Sequence, residues 1–149
     1  DPIMLAIAIP RPISFMAKKE LFENKILSKL FYSLGAFPID RKGSNIIAIK
    51  TSLRVLKDEK ILGIFPEGTR VYDMNLDNAK PGIGLISIKG KSPVIPVFIE
   101  SKYKPFSKVK IKIGEPIYFG DSYGKKLNTE DYQNISRDIM KSIYSLKTI

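Results

Sequence analysis

The chain has 149 residues, 44% of them apolar, a size that suits one domain with its own core. Cysteine and histidine are both missing from it, which excludes disulfides, thiolate catalysis, and thiolate or imidazole metal sites within these residues. Lys and Arg number 25 against 15 Asp and Glu, and the formal charge of +10 favours an anionic partner such as nucleic acid, acidic lipid head groups or a phosphorylated substrate.

From the first residue, Asp1-Pro2 reads as a helix start, a capping carboxylate followed by proline at the first helical position. The apolar run of residues 3–9 stops at Pro10-Arg11-Pro12, well short of the roughly twenty apolar residues that a membrane-spanning helix needs. Residues 13–17 predict a short strand that delivers Lys18 and Lys19 at its end. Phe22, Ile26, Leu30 and Leu34, with Leu27 and Phe31 beside them, recur at helical spacing and predict a helix that stops at Gly35. Residues 37–39 are brief and extended, and Ser44 is placed to cap a second helix whose buried stripe is Ile46, Ile49, Leu53 and Leu56.

Residues 61–65 predict the central strand, and the stretch 66–80 is long for a loop in a compact domain, which suggests function or mobility. Residues 83–88 predict a short helix, and residues 94–99, almost wholly apolar, a strand covered on both faces. Residues 109–113 alternate polar with apolar, as a half-exposed strand near an edge does. Asn128-Thr129 is a capping signal for a last amphipathic helix with its apolar face on Tyr132, Ile135, Ile139, Ile143 and Leu146. Strands interleaved with helices predict an α/β fold in which a largely parallel or mixed sheet is flanked by helices, one domain over residues 1–149.

Two segments carry chemistry. Phe65-Pro66-Glu67-Gly68-Thr69-Arg70 follows an apolar run, so proline and glycine break a buried strand into a loop. In it a glycine allows close backbone approach, a hydroxyl and a guanidinium are donors, and the Glu67 carboxylate can hold those donors in place. A planar fork of donors suits a phosphate. The second segment is Gly35-Ala36-Phe37-Pro38-Ile39-Asp40-Arg41, which brings a second arginine.

Together these segments resemble the Gly-x-x-x-Ile-Asp-Arg and Phe-Pro-Glu-Gly-Thr-Arg blocks of the glycerolipid acyltransferase family, which includes the 1-acylglycerol-3-phosphate acyltransferases. Val94-Ile95-Pro96-Val97-Phe98-Ile99 is similar to a later apolar block of that family. Lys18-Lys19-Glu20-Leu21 and Lys80-Pro81-Gly82 match weaker positions, so the likeness runs to about Gly120. Val71 departs from the serine that often follows the second arginine block.

The family's first block is a histidine and an aspartate separated by four residues, then proline. Asp1-Pro2 resembles its end, which places the histidine five positions before Asp1 and implies a truncated chain that lacks its general base and is inactive alone. The resemblance implies transfer of a fatty acyl group from acyl-coenzyme A or acyl carrier protein to the hydroxyl of lysophosphatidate, with no cofactor. Asp1 would orient the base. Arg41 and Arg70 would converge on the acceptor's phosphate, with Gly68 and Thr69 as further donors, Glu67 as organiser and Lys19 as a weaker candidate.

The resemblance also implies work at an anionic membrane surface on the cytoplasmic face, peripheral or anchored by residues before Asp1. Glycerol 3-phosphate or another lysolipid is an alternative acceptor, and a noncatalytic phospholipid-binding module an alternative role. Nucleic acid is not expected as a partner, because the basic residues lie on helix faces without an aromatic platform or binding motif.

Overall fold

The computed structural model describes residues 2–40, 46–67, 74–101 and 108–148, which fall into two compact units, Asp1–Ile64 and Phe65–Ile149. The first unit contains helix α1 (Pro2–Ala8), strand β1 (Ile13–Lys18), helix α2 (Lys25–Ser33), strand β2 (Phe37–Ile39), helix α3 (Ile46–Lys57) and strand β3 (Ile61–Gly63). Its sheet has the order β2-β1-β3, with both neighbours parallel to β1. The central strand is therefore β1. The sequence placed the run at residues 61–65 there, but β3 is shorter and lies at the sheet's edge.

Alternation along β1 explains how this sheet is covered. Ile13 and Phe15 are buried and form a core with Ala36, against which Leu5, Ile9, Ala17, Phe22, Phe31 and Ile61 pack. Phe31 brings α2 to that face, and the rings of Phe22 and Phe31 lie 5.7 Å apart. Met16 points the other way, where the Ser52 hydroxyl of α3 lies 3.7 Å from its sulfur and donates to the Ala48 carbonyl at 2.7 Å. Helices thus cover both faces of a parallel sheet, as such sheets require.

Helix α2 begins after Asn24, whose side chain accepts from the Ile26 and Leu27 amides at 2.9 and 3.2 Å. Phe22 stays outside it, in a 3-10 turn. The helix ends at Gly35, where φ is +79° and the Ala36 amide donates to the Phe31 carbonyl at 2.9 Å. The predicted buried stripe holds only in part. Phe31 packs inward, whereas Ile26 is 81% exposed and Leu27, Leu30 and Leu34 are exposed too. In α3, likewise, Ile46 is exposed and the wholly buried residue is Ser52.

The second unit contains helix α4 (Pro81–Lys89), strand β4 (Val97–Ser101), strand β5 (Val109–Ile113) and helix α5 (Thr129–Ser145). The strands pair antiparallel, Val97 with Ile113 through Ser101 with Val109, and Val94 forms a separate bridge to Ile117. The expected strand at residues 94–99 accordingly starts later, after Pro96, and Ile95 is exposed. A proline lacks the amide that a strand interior needs. Helix α5 starts at a capping box in which Asn128 and Asp131 exchange side-chain to backbone bonds of 2.8 Å. Tyr132, Ile139, Met140 and Leu146 are buried, with Ile83, Ile86 and Ile88 of α4 also in the core.

Candidate functional site

In the first unit, β1 and β2 end together: Lys18 is in register with Ile39, so the next residues, Lys19 and Asp40, leave the sheet side by side. The Lys19 ammonium donates to the Asp40 carboxylate. That hydrogen bond, then the carboxylate's charge, hold Lys19 above its ordinary pKa. Both side chains face solvent, so the pair adds little to stability. Its effect is local: Asp40 carries a cation beside it, directly before Arg41. Strand β3 is parallel to β1, with Gly63 opposite Phe15.

In the second unit, Glu67 is tied to the last helix. The Tyr144 hydroxyl donates to Glu67 Oε1 at 2.7 Å. Partial burial, this bond and the charge of Glu67 all raise the pKa of the phenol well above its ordinary value of 10.0, against a smaller lowering by the Asn75 backbone. One residue earlier, the Pro66 carbonyl accepts from the Lys80 amide at 3.1 Å, which closes the ends of the stretch 66–80. Between them, Asn75 caps a 3-10 turn at Leu76–Asn78 by accepting from the Asp77 amide at 2.9 Å.

A stripe of side chains on α5 and its C-terminal turn grips this stretch. Gln133 donates to the Ala79 carbonyl at 2.8 Å, Arg137 pairs with Asp77 at 3.1 Å, and Lys147 reaches the Met74 sulfur at 3.4 Å. Gln133, Arg137, Tyr144 and Lys147 recur at helical spacing, so one face of the helix meets the returning loop in antiparallel order. Sequence reasoning missed these residues. Their spacing is visible beside the apolar stripe, but only the tertiary fold supplies their partners.

The other expected site residues, Asp1, Arg41, Gly68, Thr69 and Arg70, lie outside the described residues. Among the described residues, open grooves lie elsewhere. One of about 530 Å³ is lined by Pro96, Gly114, Pro116, Ile117 and Leu146. The other, of about 430 Å³, is lined by residues including Ile9, Arg11, Ser14 and Gly35. Neither includes Lys19 or Glu67.

Residues 1–100 match the family model described as Acyltransferase, a span that holds both arginine segments. The chain is 41% identical over 128 residues to a 1-acyl-sn-glycerol-3-phosphate acyltransferase of Bacillus subtilis, an alignment covering 81% of this chain and 63% of the relative. It is 33% identical over 153 aligned positions to the Streptococcus pneumoniae protein of the same name, covering 98% of this chain and 56% of that one. The chain therefore spans less than two thirds of either relative. Among solved structures it resembles the 1-acyl-sn-glycerophosphate (LPA) acyltransferase PlsC from Thermotoga maritima, with a TM-score of 0.62, 25% identity, and coverage of 91% of this chain and 57% of that one.

Proposed function

The chain belongs to the acyltransferase family, and on that premise we propose that it serves acyl transfer from acyl-coenzyme A or acyl carrier protein to the free hydroxyl of 1-acylglycerol 3-phosphate in phospholipid synthesis. The observation that carries this reading is the family match over residues 1–100, which contains both arginine segments and the Lys19–Asp40 pair. The relatives' names support the acceptor.

In the reaction the acceptor oxygen bonds to the thioester carbonyl carbon and the carbon–sulfur bond breaks. The hydroxyl proton passes to a base and then to the departing thiolate. An alcohol is a weak nucleophile at neutral pH, so the base has to act as attack proceeds. The 149 residues contain no histidine, and on this reading an imidazole from outside them supplies that base while Asp1 orients it. Arg41 and Arg70 hold the acceptor's phosphate by charge-assisted bonds, with Gly68 and Thr69 as donors. Glu67 orders the turn, and Lys19 adds positive charge beside Asp40.

Anionic membrane at the cytoplasmic face is the proposed workplace, supported by the formal +10 charge and by exposed Ile26 and Leu30 alongside Lys25 and Lys29. The test is an acyl-transfer assay with both donors. No transfer is expected from the 149 residues alone, and transfer is expected when Asn-His and four residues precede Asp1. Arg70→Ala in the active form is expected to raise the acceptor KM with little change in donor use. Acyl transfer to neither lysophosphatidate nor glycerol 3-phosphate, with phospholipid binding intact, would select a noncatalytic binding module instead.

A further inference from the structure

Tyr144 lies far from both motif segments in sequence, yet its phenol donates to Glu67 at 2.7 Å. The neighbouring contacts from Gln133, Arg137 and Lys147 fix the return path from Met74 to Ala79. A carboxylate already held in one orientation has less freedom to lose when a ligand binds, which strengthens binding without adding a contact.

We propose that Tyr144 is a positioning residue for Glu67 in the turn that begins Phe65-Pro66-Glu67, holding the Glu67 carboxylate in one orientation for binding of the acceptor's phosphate. This rests on the acyltransferase reading above. Tyr144 does not touch the acceptor; it acts through Glu67. The ring of Tyr144 packs part-buried, so replacing it by Phe removes the hydroxyl and leaves the packing.

The test uses the 149-residue chain and a short-chain 1-acylglycerol 3-phosphate below its micellar concentration. Affinity is measured for the parent, Tyr144→Phe, Glu67→Gln and the double variant, each with its thermal midpoint. Tyr144→Phe is expected to bind about tenfold more weakly, because an unheld Glu67 must be ordered when the ligand binds. Its midpoint should fall only by the amount that loss of one hydrogen bond causes, and the double variant should bind no more weakly than the worse single one. Parent-like affinity in Tyr144→Phe, or losses that simply add, would overturn the proposal.

If the parent itself does not bind this lipid, the acceptor assignment fails, and amide exchange in the ligand-free chain decides the positioning role. Faster exchange across residues 66–80 in Tyr144→Phe, with α4 unchanged, supports it; unaltered exchange there refutes it.

Discussion

The Gly84 amide donates to Ser136 Oγ at 3.0 Å, and the same hydroxyl donates to the Tyr132 carbonyl at 2.9 Å. Helices α4 and α5 therefore meet backbone against backbone, because a Cβ on Gly84 would stand 2.3 Å from the Tyr132 oxygen. The contact sets the height of α5, and so the level at which its polar stripe meets the loop before α4.

Gly84→Ala is expected to destabilise the chain by about 1–3 kcal/mol, since backbone cannot move aside as a side-chain end can. Ser136→Ala should cost a similar amount, about 1–3 kcal/mol, by leaving a buried amide without its acceptor. Denaturant unfolding measures both. A Gly84→Ala variant as stable as the parent would show that the helices are not in this contact.

Tyr144 is expected to ionise at higher pH than an ordinary tyrosine. Its folded pKa is raised, so its contribution to stability is complete below the ordinary value of 10.0 and is lost as pH rises through the folded value. In an absorbance titration of the phenolates, Tyr144→Phe should delete a step above the ordinary tyrosine range. Glu67→Gln should move that step downward, since a neutral amide no longer repels the phenolate. A titration insensitive to both changes would contradict the pair.

Lys19→Ala should leave the thermal midpoint at neutral pH within replicate scatter, because both members of its pair are solvent-exposed. The raised Lys19 pKa means that the pair helps stability below the ordinary value of 10.5 and stops doing so at higher pH. For lysophosphatidate affinity, Lys19→Ala is expected to cost less than Arg41→Ala, since Asp40 already meets the lysine's charge. An equal loss would move Lys19 onto the phosphate.

Ile26→Gln and Leu30→Gln are expected to change folding stability by no more than about 0.5 kcal/mol, the range of ordinary surface substitutions. They should, however, weaken sedimentation with vesicles rich in anionic lipid. Strong destabilisation would mean that these residues are covered, as the helical periodicity alone suggests.

Much of this protein was legible in its residues. Asn128 and Asp131 specify where α5 begins because a cap and its reciprocal partner are local, and Gly35 ends α2 because it adopts positive φ without strain. Pro66 falls just past the strand end in the same local way, though β3 stops at Gly63, two residues before the expected Phe65. Which apolar stripe is covered was not legible: Ile26 and Phe31 look alike by spacing, yet only Phe31 reaches the core, since cover depends on what the rest of the chain brings alongside. The place of β3 at the sheet edge and the grip of Gln133, Arg137 and Tyr144 on the distant loop belong to the tertiary structure for the same reason. Helical spacing can show that such residues share a face, but their partners, dozens of positions away, are chosen only when the helices and strands pack.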